Sequence, residues 1–440
     1  MSAEGSAVNL YRLLRQRAAE GRPIQVGVIG CGKFAAMFLA QAPTTPGLEI
    51  AAIADLAPDR ARARLRDIGW SEDQVAATGV TDDAAAVLTA PGIAVIVEAT
   101  GDAVAGVGHA LQAIAAGKHL VMVNVEADVL CGVALARRAA AAGLVYSLAY
   151  GDQPALIAEQ VDWARACGLE VLAAGKGTKY LPVYHRSTPD TVWGHYGLTP
   201  ERAASGGMNP KMFNSFLDGT KSAIEMAAVA NACALEVPEA GLAFPACGVD
   251  DLPFLLRPRD EGGVLEGSGM VEVISSLERD GRPVHRDLRW GVYVVFKALS
   301  DYAARCFAEY GLITSPCGRY AALYRPYHLI GLELGVSVAS AALRGEATGA
   351  PDAWRGDVAA TAKRDLAAGE TLDGEGGHCV YGRLVRAARA AADRLLPIGL
   401  ANGVRLRRPV AMDAQLSLDD VEIDPTLTAL ALRAGLQPAA

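Results

Sequence analysis

The run Ile24–Ala35 (IQVGVIGCGKFA) predicts a buried strand, a glycine turn and the start of a helix. Gly30 permits a tight turn, and Gly32 lets a pyrophosphate approach the backbone. The free N–H groups at Lys33 and Phe34, together with the helix dipole, would hold the phosphates. The run therefore predicts a dinucleotide site. A strand-to-helix turn that binds no nucleotide is the alternative.

A second apolar strand supports the dinucleotide interpretation and bears on the choice of cofactor. Leu48–Ala54 ends directly before Asp55, at roughly the 20-residue spacing typical of the acid that binds the ribose. A carboxylate repels a 2′-phosphate and so favours NAD(H), whereas Arg60 on the next helix could accept the phosphate of NADPH. Since Arg60 could equally be a helix-surface charge, both cofactors stay open.

Composition narrows the class of protein. The chain has 440 residues, enough for two or three domains, and a net charge of −8 that argues against binding to nucleic acid. Its eight cysteines are scattered without a C-x-x-C pair, which favours reduced thiols in a cytoplasmic protein. No apolar stretch has the length of a membrane span, and the N-terminus lacks a hydrophobic signal core. We therefore expect a cytoplasmic protein with a small-molecule partner and no membrane or nucleic acid partner.

Strand and helix signals alternate through the first 150 residues. Short, fully apolar strands separated by helices are typical of a parallel sheet covered on both faces. The fold class predicted is α/β, with a Rossmann-type doubly wound parallel sheet. The further elements expected are strand 48–54, helix 58–67, strand 93–97, helix 103–116, strand 119–124, helix 129–142, strand 145–149, and later helices over 214–234 and 329–342.

Changes in composition set the expected domain boundaries. Residues 1–150 are predicted to form the dinucleotide-binding domain, completed by the chain at 320–345. Residues 151–350 are predicted to be a mixed α/β domain for substrate binding and oligomerisation. The rest, 351–440, is predicted to be small and β-rich, and Val358–Leu372 resembles the beginning of an SAF (antifreeze-like) domain.

The carboxyl ends of the parallel strands are expected to line the ligand crevice. These ends carry Glu98–Gly101, Asn124–Glu126 and Tyr150–Asp152. The nicotinamide is expected to lie over Thr100 and Gly101.

The first half of the chain, to about residue 235, resembles the homoserine dehydrogenase family. Where that family has approximately A-N-K, with a catalytic lysine, this chain has Val123–Glu126. A carboxylate at Glu126 would act as a base or bind a metal rather than stabilise an alkoxide. Near the family's N-G-T-x-N-Y turn this chain carries Lys176 and Lys179 instead of polar residues. The two cations suggest an anionic substrate, with a pair of solvated surface lysines as the alternative.

A charged segment follows at Phe216–Met226. On one helix Asp218, Lys221 and Glu225 would share a face, at i, i+3 and i+7. The family resemblance places an active-site aspartate and lysine in such a helix, and Lys221 is the preferred match to the lysine. It would polarise a substrate carbonyl or transfer a proton during hydride transfer. A surface ladder of ion pairs is the alternative.

Other polar residues complete the predicted site. His185 and His195 flank a loop rich in tyrosine and tryptophan and are expected to contact substrate, and Lys211 is expected to meet a phosphate. No H-x-H or H-E-x-x-H spacing is present, which argues against zinc. A hard cation, Mg²⁺ or Mn²⁺, needs few carboxylates. The candidate ligands for it are Glu126, Asp152 and Glu225.

Taken over its length, the chain resembles the reductoisomerase-like relatives of homoserine dehydrogenase that carry a C-terminal SAF domain. The resemblance implies conversion of 1-deoxy-D-xylulose 5-phosphate to 2-C-methyl-D-erythritol 4-phosphate with NADPH and a divalent metal, by a homodimer or homotetramer. One alternative is an NAD-dependent dehydrogenase or oxidoisomerase of a branched sugar acid or a homoserine-like hydroxy acid. The other is a non-catalytic regulator that senses NAD(H).

Overall fold

The computed structural model describes residues 9–439. Residues 1–8 and 440, at the outer ends of the first and last predicted domains, lie outside the described residues. Over the described part of the chain, no helix is both long and apolar enough to cross a membrane.

The chain is divided into two units, and each is described by itself. The first unit extends to Ala155 and takes up Leu329–Ala350. The second holds Leu156–His328 and the chain from Pro351 onward.

The elements of both units are numbered in chain order. The strands are β1 (Ile24–Ile29), β2 (Leu48–Ala54), β3 (Gly79–Thr81), β4 (Val95–Glu98), β5 (His119–Met122), β6 (Tyr146–Leu148), β7 (Glu170–Thr178), β8 (Met270–Ser275), β9 (Val292–Lys297), β10 (Tyr320–Arg325), β11 (Gly356–Ala362), β12 (Thr371–Asp373), β13 (Val380–Arg386), β14 (Asn402–Leu406) and β15 (Val421–Glu422). The α-helices are α1 (Leu10–Ala19), α2 (Lys33–Gln41), α3 (Pro58–Asp67), α4 (Glu72–Ala77), α5 (Ala84–Thr89), α6 (Ala103–Ala115), α7 (Val125–Ala141), α8 (Gln153–Ala166), α9 (Val192–Tyr196), α10 (Pro200–Ser205), α11 (Pro210–Leu217), α12 (Thr220–Cys233), α13 (Leu252–Leu255), α14 (Asp301–Glu309), α15 (Gly335–Arg344), α16 (Ala387–Ala392) and α17 (Thr428–Ala434).

The first unit is built on a parallel sheet of six strands in the order β3-β2-β1-β4-β5-β6. Its strand order reverses between β1 and β4, and open α/β sheets bind ligands at such a reversal. Val26 and Val28 of β1 pack in one buried cluster with Phe38 of α2, Leu65 of α3 and Val338 of α15. The predicted Rossmann-type sheet is confirmed, and α15 contributes to its core.

Several predicted boundaries in this unit shift because local capping decides where helices begin. The helix expected from residue 129 begins at Val125, since the Asn124 side chain accepts a hydrogen bond from the N–H of Ala127 and caps it. The helix expected from residue 329 begins at Gly335. The chain before it turns through Gly331, whose φ of +79° is not helical.

The second unit contains a mixed sheet of four strands in the order β10-β9-β7-β8. Strand β7 is parallel to β8 and antiparallel to β9. Leu172 of β7, Ile274 of β8 and Tyr293 of β9 lie in the same buried cluster as Leu252 of α13. The predicted mixed α/β character of this region is confirmed.

One long helix was expected over 214–234, and that prediction was wrong. The chain forms α11 and α12, separated by Gly219, whose φ of +90° no continuous helix accommodates. Asp218 is the C-cap residue of α11, while Lys221 and Glu225 lie on α12. The three residues therefore do not form a ladder along one helix.

The C-terminal region is the β-rich part of the second unit. Strands β11 and β13 pair in antiparallel fashion, and β12, β14 and β15 form a separate small sheet. Helix α12 packs against β11 and β13. The predicted β-rich C-terminal domain is confirmed.

Candidate functional site

The glycine turn between β1 and α2 has the shape of a phosphate cradle. Gly30 has φ +91°, and a Cβ there would lie 2.7 Å from the carbonyl oxygen of Ala99. A Cβ on Gly32 would instead meet no described atom within 4 Å. No side chain of the described residues caps the start of α2. Open space over uncapped N–H groups fits a pyrophosphate, so Gly32, Lys33 and Phe34 lie where the dinucleotide prediction requires.

Asp55 links the end of β2 to the glycine turn by a hydrogen bond. Its carboxylate accepts hydrogen bonds from the N–H of Cys31 at 2.8 Å and the N–H of Ala57 at 2.9 Å. Arg60 Nη2 lies 3.7 Å from the same carboxylate, and its side chain is 74% exposed against 12% for Asp55. A carboxylate suited to ribose hydroxyls and an exposed guanidinium suited to a 2′-phosphate are thus adjacent.

The end of β4 carries a hydrogen-bonded cluster around Glu98, which the sequence placed at the edge of the ligand crevice without giving it a role. The Thr100 hydroxyl donates to Glu98 Oε1 at 2.6 Å, and His109 Nδ1 lies 3.2 Å from the same oxygen. Glu98 is completely buried, whereas Gly101 turns the chain with φ +75°. Glu98 thereby orients the hydroxyl that we expect near the nicotinamide. The signal in the sequence that could have identified Glu98 is an acidic residue at the end of an apolar strand.

The three predicted metal ligands are distributed over both units of the chain. Glu126 lies partly exposed in the first turn of α7, and Asp152 is buried with its Oδ1 accepting the N–H of Gln153 at 2.8 Å. Both belong to the first unit, whereas Glu225 belongs to the second and receives the ammonium of Lys176. Within residues 9–439 no group of three or more His, Cys, Asp or Glu side chains is placed to hold a metal ion. The shared metal site stays a prediction.

Lys176 and Glu225 form a buried ion pair between β7 and α12. Glycines on both sides of Lys176 allow neighbouring backbone to approach β7 closely at this point. A Cβ on Gly175 would lie 1.8 Å from the carbonyl oxygen of Glu272, and one on Gly177 would lie 2.0 Å from that of Leu288. The strands approach too closely there for any side chain. The Lys176 charge is neutralised inside the protein and held against α12.

Asp218 is also buried and paired. Its Oδ2 accepts a hydrogen bond from Lys363 Nζ at 2.8 Å, and its Oδ1 accepts one from the N–H of Thr220 at 2.9 Å. Both carboxylate oxygens are thus engaged at the junction of α11 and α12. Lys221 follows in the first turn of α12, where it is partly exposed. The predicted catalytic pair is placed on either side of Gly219, with Lys221 nearer to solvent.

His185 links this junction to Tyr180. Its Nδ1 lies 2.7 Å from the backbone oxygen of Asp218, and its Nε2 lies 3.0 Å from the Tyr180 hydroxyl. A backbone carbonyl can only accept, so the proton is assigned to Nδ1, and Nε2 then accepts from Tyr180. Burial lowers the pKa of His185 and raises that of Tyr180. The neutral imidazole is a proton acceptor towards the tyrosine.

Lys179 and Arg289 form a cluster of positive charge around Tyr196. Lys179 Nζ lies 5.5 Å from the centre of that ring and Arg289 Cζ 5.9 Å from it. Burial and the charge of Arg289 lower the pKa of Lys179, and burial and Lys179 lower the pKa of His195. Within residues 9–439 neither cation forms an ion pair with a carboxylate. Two adjacent cations of this kind attract an anion.

Arg289 was missed by sequence reasoning because it lies more than a hundred residues from Lys179 in the chain. Lys211, which was predicted to meet a phosphate, donates a hydrogen bond to the backbone oxygen of Asp373. Lys176 is neutralised by Glu225, whereas Lys179, which donates to the backbone oxygen of His195, and Lys211 have no carboxylate partner among residues 9–439. Arg289 lies beside Lys179, so these two form the adjacent pair of cations.

Three family models match the chain in succession. The NAD-binding domain of homoserine dehydrogenase matches residues 26–146, the catalytic domain of oxidoreductase DRL matches residues 151–334, and the SAF domain matches residues 358–422. The predicted homoserine-dehydrogenase-type NAD-binding domain and the SAF domain are confirmed. The region with Lys176, Asp218 and Lys221 lies in the part of the chain that matches the oxidoreductase catalytic domain.

Parts of the chain also match solved structures at low sequence identity. Myo-inositol dehydrogenase from Lactobacillus casei is 16% identical over 39% of this chain and 50% of that chain, with a TM-score of 0.29. A homoserine dehydrogenase from Thiobacillus denitrificans is 21% identical over 47% of this chain and 49% of that chain, with a TM-score of 0.35. The match thus spans about half the length of each of these proteins. The comparison with curated proteins finds no match.

Proposed function

We propose that this oxidoreductase converts 1-deoxy-D-xylulose 5-phosphate to 2-C-methyl-D-erythritol 4-phosphate with a nicotinamide cofactor. The observation that carries the proposal is the cation pair Lys179 and Arg289, which lies on the catalytic domain without a carboxylate partner among residues 9–439. An anionic group on the substrate would neutralise both charges. A sugar phosphate supplies a dianion, which two cations bind more strongly than a single carboxylate.

The catalytic side chains proposed are those at the start of α12 and on the loop that faces it. The reaction rearranges a ketose skeleton and reduces a carbonyl, and NADPH supplies the hydride when bound. The Lys221 ammonium, partly exposed at the positive end of the α12 dipole, would stabilise negative charge on a substrate oxygen. Tyr180 and His185 would take up a hydroxyl proton, since His185 Nε2 accepts from the tyrosine hydroxyl.

The test follows the loss of NADPH or NADH absorbance when the purified full chain meets 1-deoxy-D-xylulose 5-phosphate, with and without Mg²⁺ or Mn²⁺. We expect oxidation of the cofactor and formation of the branched polyol phosphate. Lys221→Ala should abolish turnover while leaving cofactor binding unchanged. If the cofactor binds but no turnover follows under any of these conditions, this substrate is wrong.

Charge-removal variants test the phosphate site separately. Lys179→Met and Arg289→Met should each raise KM for the sugar phosphate by about tenfold or more with a smaller change in kcat, because each removes a charge-assisted contact. Arg282→Met is the matched control, since Arg282 is an exposed cation paired with Asp280. Equal effects of all three substitutions on KM would contradict the assignment of the phosphate site.

A second candidate function is oxidation of a branched sugar acid with NAD. The observation that favours it is Asp55, whose carboxylate lies at the ribose end of the cofactor cradle and repels a 2′-phosphate. The same cations, Lys179 and Arg289, would then bind the carboxylate of the acid. Turnover of a phosphate-free sugar acid with NAD, combined with failure to reduce the sugar phosphate, would favour this candidate.

A further inference from the structure

Lys363 lies in the SAF domain, but two of the three acceptors of its ammonium group, Asp218 and Ser187, lie in the catalytic domain. Its Nζ donates to Asp218 Oδ2 at 2.8 Å, to the backbone oxygen of Ser187 at 2.7 Å and to that of Gly377 at 2.7 Å. An ammonium has three protons, and these three acceptors use all of them. The side chains of Lys363 and Asp218 are 2% and 0% exposed. A charge so deeply buried must be fully satisfied, which fixes the positions of its three partners relative to one another.

The partners of Lys363 are connected to the candidate site by direct hydrogen bonds. The other carboxylate oxygen of Asp218 accepts the N–H of Thr220, which begins α12 one residue before Lys221. The backbone oxygen of Asp218 accepts His185 Nδ1–H, and His185 in turn accepts from Tyr180. Asp218 therefore holds both the first turn of α12 and the imidazole that faces Tyr180.

Two further contacts from the SAF domain reach the same junction. The N–H of Gly382 donates to the Thr220 hydroxyl at 2.8 Å, and the Tyr381 ring stacks on His185 with ring centres 4.7 Å apart. A Cβ on Gly382 would lie 2.9 Å from a side-chain carbon of Thr220, so β13 approaches α12 closely at this point.

The loop before β13 is attached to α11 as well. Asn214 Nδ2 donates to the backbone oxygens of Ser187 at 3.0 Å and Gly376 at 2.9 Å. A Cβ on Gly376 would lie 2.0 Å from the carbonyl oxygen of Lys211. The SAF domain thus contacts α11, the junction and α12 through buried groups, and Lys363 is the charged member of that contact.

We propose that Lys363 is a positioning residue, through which the SAF domain sets the orientation of the His185–Tyr180 pair and of the α12 turn that carries Lys221. The SAF domain is then a built-in part of the catalytic site rather than an appended binding module. The proposal rests on the proposed function only in taking Lys221 and Tyr180 to act on substrate, and it does not depend on which substrate is used.

The test compares Lys363→Met with Arg433→Met in the full-length protein. Arg433 is the control because its largely buried side chain forms an ion pair with buried Asp357 of β11. Each variant leaves a buried carboxylate, Asp218 or Asp357, without its cation, so both should have a lowered Tm. Only Lys363→Met should lower kcat by about tenfold or more, with the Kd of the cofactor unchanged, when both are assayed well below their Tm.

A second variant separates positioning from stability. Lys363→Met/Asp218→Asn leaves no unpaired buried charge, so its Tm should recover, but Ser187 and Gly377 remain without the ammonium that joins them. We expect kcat to stay low. Recovery of kcat together with Tm, or an equal loss of kcat in Arg433→Met, would overturn the proposal. If Lys363→Met alone does not fold, the double variant still decides the question.

Hydrogen–deuterium exchange gives a readout that needs no substrate. Amide exchange in segments 182–188 and 218–226 should rise in Lys363→Met and in the double variant, and should be unchanged in Arg433→Met. If the wild-type chain fails to turn over the sugar phosphate, the proposed function fails while this comparison still tests the positioning role. Unchanged exchange in both segments would overturn the positioning role alone.

Discussion

The glycine turn allows the cofactor prediction to be tested without disturbing the fold. Gly32 has φ −75° and ψ −167°, which any residue adopts, and a Cβ there meets no described atom within 4 Å. Gly32→Ala should therefore change the free energy of unfolding by less than about 1 kcal/mol. The added methyl group would lie in the space of the pyrophosphate. Loss of one hydrogen bond to a charged phosphate costs about 1.5–3 kcal/mol, which is about a 10- to 100-fold weaker Kd.

The assay is a titration of NADH and NADPH followed by nucleotide fluorescence, with a thermal melt of each variant. Gly108→Ala is the control, because Gly108 also faces open space but lies along α6, away from the turn. Gly30→Ala should behave differently from both and lower Tm, since its φ is +91° and its Cβ would lie 2.7 Å from a backbone oxygen. An unchanged Kd in Gly32→Ala would refute the placement of the pyrophosphate.

Three further substitutions test the cofactor choice and the buried charges. Arg60→Ala should weaken NADPH binding by about tenfold in a fluorescence titration and leave NADH binding unchanged, because its exposed guanidinium lies beside Asp55; equal losses would contradict this role. Lys176→Met should lower the free energy of unfolding in urea by about 3–5 kcal/mol, because it leaves Glu225 buried without its partner. Lys176→Met/Glu225→Gln should recover most of that loss, and a single variant as stable as the wild type would refute the argument. Burial raises the pKa of Glu272 from 4.5 to about 7. Because the folded protein therefore favours the protonated acid, the free energy of unfolding should fall by about 3 kcal/mol as pH rises from about 4.5 to about 7. The glutamine in Glu272→Gln cannot ionise, so the free energy of unfolding in urea should differ less between about pH 5 and about pH 8 than in the wild type. A difference as large as that of the wild type would contradict the assignment.

Local sequence patterns were sufficient to predict the fold of the first unit, because the residues that define it lie close together in the chain. The apolar strand, the turn at Gly30 and the acid at Asp55 lie within one strand-helix-strand stretch, and their geometry follows from backbone conformation and strand order. The Rossmann-type sheet was predicted in this way, whereas the SAF domain of the second unit was predicted from the resemblance of Val358–Leu372. Helix boundaries shifted where a single side chain such as Asn124 provides a cap.

The candidate site in the second unit depended on contacts between distant segments. The sequence placed Asp218, Lys221 and Glu225 on one helix, but Gly219 breaks it, and each acid finds its cation elsewhere in the chain. Lys363 lies 145 residues from Asp218, and Lys176 lies 49 residues from Glu225. No spacing rule encodes such pairs, because which buried charges meet is decided by how β7, α12 and the SAF strands pack. Local patterns in the sequence were enough to predict the cofactor fold and the types of charged residue present. The packing of distant segments decides which of those charges neutralise one another, because the paired residues lie far apart in the chain.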